Sequence, residues 1–261
     1  MKNIKVVFTD IDGTTFINGK KIVIESTYLA FKKLKAKGIK IVICTTRSYE
    51  ETLTLPKEYL EYIDAIICST GAQIVADGKN ILLHTIEKKE TSKIIDFLES
   101  NNFIYRYITK DLKGYLNSKD KHVHEVFNYY YGFVPTQKDY QNEDVVSILC
   151  YLKDSDPNYY KFLTCTSNIS LINLVDVQEL NPLGINKGTG IIDFCNYYKI
   201  KLDDTICIGD SYNDIDMLKV CKNSVCMGNG VQEAKDIASY VTDDITKDGF
   251  YNAMKYYKII K

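Results

Sequence analysis

Ile4-Lys5-Val6-Val7-Phe8-Thr9-Asp10-Ile11-Asp12-Gly13-Thr14 runs from an apolar, β-branched stretch straight into two carboxylates and a glycine. So short an apolar run reads as a strand buried on both faces, as in a parallel sheet covered by helices. The residues after it read as the strand's mouth. Alternation in an extended segment sends Asp10 and Asp12 to the same side, and Gly13 lets the backbone turn away.

Working outward, residues 26–37 carry a helical pattern with Tyr28, Phe31 and Leu34 at three-residue spacing, and Gly38 stands where a left-handed cap would fall. Apolar runs at 39–44 and 65–68 continue the alternation. It returns near the other end, with strand-like runs at 205–208 and 224–227 and helical patterns at 187–198, 214–221 and 231–238. Strands alternating with helices in this way predict a doubly wound α/β fold with a parallel sheet. Between the halves the style changes. Segments 74–76 and 81–83 flank an Asp77-Gly78 turn, 103–109 alternates loosely, and 145–152 and 169–175 are rich in β-branched residues. That middle portion reads as an inserted α+β domain, with crossing points near Gly71 and at Asn181-Pro182-Leu183-Gly184. The expected partition is 1–80 and 184–261 for the core and 81–183 for the insert.

Composition narrows the function classes. The chain has 261 residues, 45% hydrophobic and 26% charged, as in an ordinary globular protein. Its 33 basic and 34 acidic side chains leave a formal charge of −1, so no positive field gathers nucleic acid or an anionic membrane. Small molecules are the expected partners. No apolar run is long enough for a signal core or a span, which places the protein in the cytoplasm as an expected monomer or homodimer. The eight cysteines contain no C-x-x-C pair, and most sit in apolar stretches, so they read as buried thiols.

In a doubly wound sheet, ligands bind beyond the carboxyl ends of the strands. Three strand ends carry the polar residues: Asp10-Ile11-Asp12-Gly13-Thr14, Thr45-Thr46-Arg47, and Gly209-Asp210-Ser211-Tyr212-Asn213-Asp214. Brought together, four carboxylates would repel one another and push their own pKa values up. A hard divalent cation, magnesium above all, resolves that conflict and neutralises a phosphoryl group as well.

These motifs resemble the haloacid dehalogenase superfamily, and within it the Cof-type sugar-phosphatase branch. The likeness spans nearly the whole sequence: Thr45-Thr46-Arg47 matches the second motif, Lys187 in Asn186-Lys187-Gly188 the third, and Asp248-Gly249-Phe250 the close. The resemblance implies a magnesium-dependent phosphatase in which Asp10 is the nucleophile and forms an aspartyl phosphate. Asp10, Asp12 through its carbonyl, and Asp210 would hold Mg2+, with Asp214 supporting them through water. The Asp12 side chain would protonate the leaving alcohol and then activate water. Ile11 and Thr46 would offer backbone amides to the phosphate, Thr45 its hydroxyl, Lys187 its charge, and Asn213 its amide. The cap would close over the crevice and select the substrate, a sugar phosphate in most of the family. Two positions depart from the pattern. Thr46 stands where glycine is usual, and Thr15 where an apolar residue is usual.

Several residues stay open between chemistry and structure. Lys187 on position alone reads as a solvated lysine at a helix start, and only its motif makes it catalytic. Arg47 reads equally as a site cation or as a salt bridge. His84, His122 and His124 lack the companions of a metal site and read as solvated. Tyr129, Tyr130 and Tyr131 read as cap packing more than as a stacking platform. Two other functions fit the same motifs: a phosphomutase that returns the phosphoryl group to a sugar, and a non-catalytic regulator that kept the fold.

Overall fold

The computed structural model describes residues 3–173 and 176–261, without the side chains of Asn18 and Tyr130. Its first strand shows why an apolar run needs no polar alternation. In β1 (Val6–Thr9), Val7 packs among the residues of one face of the sheet while Val6 and Phe8 pack on the other. The same division recurs in β2 (Lys40–Cys44), where Ile41 and Ile43 oppose Val42 and Cys44. Helices Glu25–Ala36 and Gly249–Tyr256 cover the first face, and helices Lys187–Tyr198, Ile215–Val220 and Gln232–Ile237 the second.

The core sheet is completed by β3 (Ala65–Cys68), β4 (Gln73–Ala76) and β5 (Lys79–Leu83). The chain then builds the cap strands β6 (Tyr105–Thr109), β7 (Gly114–Leu116), β8 (Thr136–Gln137), β9 (Val145–Cys150), β10 (Ile169–Asn173) and β11 (Gln178–Pro182). It returns to the core for β12 (Thr205–Gly209), β13 (Ser224–Cys226) and β14 (Tyr240–Val241). Spatial order is β14-β13-β12-β1-β2-β3-β4-β5 in the core and β10-β11-β9-β6-β7-β8 in the cap. From β14 to β3 the core pairs are parallel, so their carboxyl ends share one edge.

The architecture is the expected doubly wound α/β core with an α+β cap. One expectation is corrected. The hairpin around Asp77-Gly78, read with the insert, instead pairs antiparallel onto β3 and extends the core sheet. A two-residue turn keeps a hairpin local, and here the hairpin also covers what would be an open sheet edge. The strand expected over 169–175 is observed to Asn173; Leu174 and Val175 lie outside the described residues. All eight cysteines are free thiols, and all but Cys165 are buried. Among the described residues, no helix is long and apolar enough to cross a membrane.

Candidate active site

Register assembles the site. Thr9 at the end of β1 stands level with Ile208 of β12 and Ile43 of β2, so Asp10, Asp210 and Thr45 emerge side by side from three adjacent strands. The Asp10 N–H still donates to the Ile208 carbonyl at 2.9 Å, which seats Asp10 at the sheet's last rung. The chain then folds back. The Ile11 carbonyl accepts from the N–H groups of Thr14, Thr15 and Phe16, and Gly13 adopts φ +87°. A Cβ on Gly13 would stand 2.4 Å from Asp210 Oδ2, so only glycine lets the loop come this close to the third strand's carboxylate. Thr15, one of the two departures, donates to the Asp10 carbonyl at 3.1 Å and pairs with the buried Tyr59 hydroxyl at 2.8 Å.

Lys187 is the hub. It opens helix Lys187–Tyr198 behind the N-cap Asn186, whose side chain accepts from the Thr189 N–H. The ammonium is fully buried and lies 2.7 Å from Asp10 Oδ1, 2.7 Å from Asp214 Oδ1 and 3.2 Å from Asn213 Oδ1. Asp214 spends its other oxygen on the N–H groups of Asp210 and Ser211, at 2.8 and 2.9 Å. Asp210 receives the Thr14 hydroxyl on Oδ1 at 2.7 Å. Asp10 Oδ2 and Asp210 Oδ2 accept no hydrogen bond among the described residues.

One carboxylate oxygen each from Asp10, Asp210 and Asp214 lies within 4.8 Å of the other two. Three carboxylates face one ammonium, and the imbalance is visible in their acidities. Burial raises Asp10 well above the ordinary carboxylate range; Lys187 opposes the rise, and Asp214, Asp210 and Asp12 add to it. Asp210 is pushed up to about 7, by burial first and then by Asp214. On Lys187 the burial penalty is outweighed by Asp10 and Asp214, which raise its pKa. A hard cation suits this donor set: all-oxygen, anionic in excess, with one uncommitted oxygen on Asp210.

The remaining expected residues are close by. Thr45 is buried, its hydroxyl accepts from the Arg47 N–H at 3.1 Å, and Thr46 is half-buried beside it. Asp12 stands apart from the Asp10–Asp210–Asp214 group: its carboxylate is gripped by both arms of Arg47, with Nε 2.8 Å from Oδ2. That resolves Arg47 as a salt bridge, and one that holds a site residue. The guanidinium also lies 5.7 Å from the ring centre of Phe16 and 5.2 Å from that of Tyr131, so the cap touches it. Tyr129 is exposed, and the Tyr130 side chain lies outside the described residues. His124 faces the Ser118 carbonyl at 3.0 Å and His84 pairs with Asp193 at 3.0 Å. His122 is exposed.

Sequence reading missed the residues that join cap to core. Arg106 of β6 binds both Glu51 oxygens, at 2.7 and 2.8 Å, and both side chains are at most 1% exposed. Glu51 in turn accepts from the Ser48 N–H at 2.8 Å in a capping box. A Ser-x-x-Glu spacing and an arginine inside an apolar strand were the available signals.

The haloacid dehalogenase-like hydrolase family matches residues 7–254. The chain belongs to that family. Among curated proteins, it is 26% identical over 264 residues to the 5-amino-6-(5-phospho-D-ribitylamino)uracil phosphatase YitU of Bacillus subtilis, covering 97% of each chain. It is 25% identical over 285 residues to the phosphatase YwpJ of the same bacterium, covering 97% of this chain and 99% of that one. Among solved structures, the haloacid dehalogenase subclass IIB sugar phosphatase BT4131 gives a TM-score of 0.88 at 25% identity, over 98% of this chain and 100% of the other. The phosphatase BT1666 from Bacteroides thetaiotaomicron gives 0.84 at 27% identity, over 98% and 96%. Family and relatives together make this a haloacid dehalogenase-type phosphatase of the Cof kind.

Proposed function

We propose that the enzyme hydrolyses phosphate monoesters of small metabolites, sugar phosphates foremost, with Asp10 as nucleophile and Mg2+ as cofactor. The observation that carries the proposal is the Asp10–Lys187 contact at 2.7 Å inside a buried group of three carboxylates. Lys187 fixes one Asp10 oxygen and leaves the other open to strike phosphorus, forming an aspartyl phosphate that water then cleaves. Thr45, the amides of Ile11 and Thr46, and Asn213 hold the phosphoryl oxygens, with Lys187 offsetting their charge. Asp12, aimed by Arg47, delivers a proton to the leaving alcohol and later takes one from water. Asp10, Asp210 and the Asp12 carbonyl would hold Mg2+, supported by Asp214; bound there, it would neutralise nucleophile and phosphoryl group together.

The partition 1–80, 81–183 and 184–261 belongs to the same proposal. The two separate sheets support it, with β5 straddling the first boundary. Free thiols fit a reducing cytoplasm. The relatives' specificities suggest sugar phosphates and the ribitylaminouracil phosphate as first substrates to try. The test is release of inorganic phosphate from an aryl phosphate and then from a sugar-phosphate panel. Release is expected to need Mg2+, stop with a chelator, and vanish in Asp10→Asn. Turnover retained in that variant would overturn the reading, and isomerisation of a sugar phosphate with little phosphate released would convert it to a mutase.

A further inference from the structure

Two segments join the cap to the core, and hydrogen bonds locate each crossing. In the first, the His84 N–H donates to the Ala72 carbonyl of the core at 2.8 Å and the Ile86 N–H to the Val145 carbonyl of β9 at 2.8 Å, which leaves Thr85 between them. In the second, Pro182 pairs with Ile169 in the cap sheet, the Gly184 N–H donates to Ser170 Oγ at 2.8 Å, and Asn186 caps a core helix. Leu183 lies in that crossing and is exposed. A cavity of about 410 Å³ touches both crossings. Its floor is apolar and buried, made of Ile86, Ile169 and Pro182, while Thr85, Glu87, Asn168 and Leu183 form an exposed rim. No residue of the Asp10–Asp210–Asp214 group lines it.

Helix Lys88–Ser100 starts beside this cavity. Glu87 is its N-cap residue, and Glu90 follows three residues on, so the two carboxylates share one side of the helix. Acidic groups at a helix start are commonly held by capping bonds. Neither makes one here: Glu87 has no side-chain cap bond, and Glu90 Oε2 has no partner among the described residues. Glu90 is only 7% exposed, and its other oxygen accepts one long bond, from Asn168 Nδ2 at 3.4 Å. Since Asn168 belongs to the rim, the bare carboxylate stands against the cavity wall.

The other buried carboxylates of the described residues are answered. Lys187 meets Asp10 and Asp214, Arg106 meets Glu51, and the Thr70 hydroxyl meets Glu179. A buried carboxylate with neither a cation nor a full set of donors is costly, and Glu90 is in that state beside a cavity open to solvent.

We infer that this cavity binds a small alkylammonium ligand, an α,ω-diamine above all, and that filling it favours the docked cap. An ammonium carries donors only and supplies the charge that Glu90 lacks. The apolar floor takes the methylene stem, and Glu87 on the rim meets a second ammonium. A bare metal ion finds too few oxygens on such a floor, and an anion meets two carboxylates. The volume is that of a small-molecule pocket. A ligand in contact with both crossings holds them in this arrangement, so it and a phosphate ester beneath the cap reinforce each other. That coupling, unlike the binding, rests on the phosphatase reading above.

The test is calorimetric titration of the whole chain with 1,4-diaminobutane, 1-aminobutane and 1,4-butanediol. Saturating Mg2+ keeps the amines away from the Asp10–Asp210–Asp214 group, and the buffer is at about pH 7.5 and about 0.15 M salt. One equivalent of diamine should bind, the monoamine about threefold more weakly, and the diol more weakly by about tenfold or more. Glu90→Gln should weaken the diamine by about tenfold and Glu87→Gln by about threefold. Glu90→Gln should not lower the melting temperature of the amine-free protein, because the charge it removes is unanswered. The site is overturned if no diamine binds at about 10 mM, if the diol binds within about twofold of it, or if Glu90→Gln binds it as wild type does. Should Glu90→Gln not fold, the diol comparison and Glu87→Gln on the exposed rim decide alone. With diamine saturating, KM for an aryl phosphate should fall by about threefold, and an unchanged or raised KM would overturn the coupling. Absence of any turnover would sink the phosphatase reading instead, and the titration would still judge the site.

Discussion

Lys187→Met keeps most of the lysine stem's volume and removes its charge. The Lys187 ammonium lies 2.7 Å from both Asp10 and Asp214, and none of the three side chains is more than 7% exposed. Removing one partner of a buried ion pair costs about 3–5 kcal/mol. A second route bounds the same quantity. Near neutral pH, protonating a carboxylate whose ordinary pKa is about 3.9 costs roughly 4 kcal/mol, and two adjacent carboxylates can share that proton. Both routes give a loss of about 4 kcal/mol. In the variant the carboxylate pKa is raised above its unfolded value, so the penalty is absent below the unfolded pKa and grows as pH rises. It should shrink by about 1.4 kcal/mol for each unit of acidification from about pH 7 to about pH 5. Mg2+ at about a hundred times its dissociation constant should return about 2.7 kcal/mol, since it needs the carboxylates and not the lysine. Urea unfolding of chelator-treated wild type and variant, near pH 5 and near pH 7.5, with and without Mg2+, measures all three quantities. A loss below about 1 kcal/mol, or one equal at both pH values, would refute this account of the buried charges. In parallel, kcat should fall by about a hundredfold or more.

Metal-free wild type should itself lose stability between about pH 5 and about pH 8, because Asp210, held up to about 7, and Asp10 are raised above their unfolded values. The downward-shifted Glu143, Asp144 and Asp244 titrate below that window, so thermal melts that stay flat in chelator, or that slope equally in Mg2+, would contradict it. Arg106→Met should strand the buried Glu51 and weaken cap docking by about 3–5 kcal/mol, seen as faster proteolysis of the cap; adding Glu51→Leu should recover most of it. Asp12→Asn should slow turnover of an aryl phosphate by about a hundredfold or more while Mg2+ still stabilises the fold in thermal melts. Gly13→Ala should weaken Mg2+ affinity, measured by titrating activity, because its Cβ would press on Asp210 Oδ2 at 2.4 Å.

Much was legible in the chain. Val6–Thr9 and Lys40–Cys44 announce a parallel sheet because strands buried on both faces keep no polar register. Asp10, Asp210 and Asp214 could be named as one site because strand-end motifs fall together whenever the strands are neighbours, whereas Lys187, at a helix start, joined them only through the motif resemblance. Polarity, spacing and period are local properties, and they carry the fold class and the acidic loop at the end of β1.

Other features depend on which surfaces meet. Arg47 could be a loose salt bridge or a site residue until β1 and β2 were aligned and brought its fork onto Asp12. The hairpin Gln73–Leu83 has the same pattern in either domain, and only pairing with β3 assigns it to the core. Arg106 with Glu51, and Thr70 with Glu179, lie 55 and 109 residues apart. No periodicity encodes such contacts, because a buried charge is identified by the partner opposite it, and closure of the cap onto the core supplies that partner.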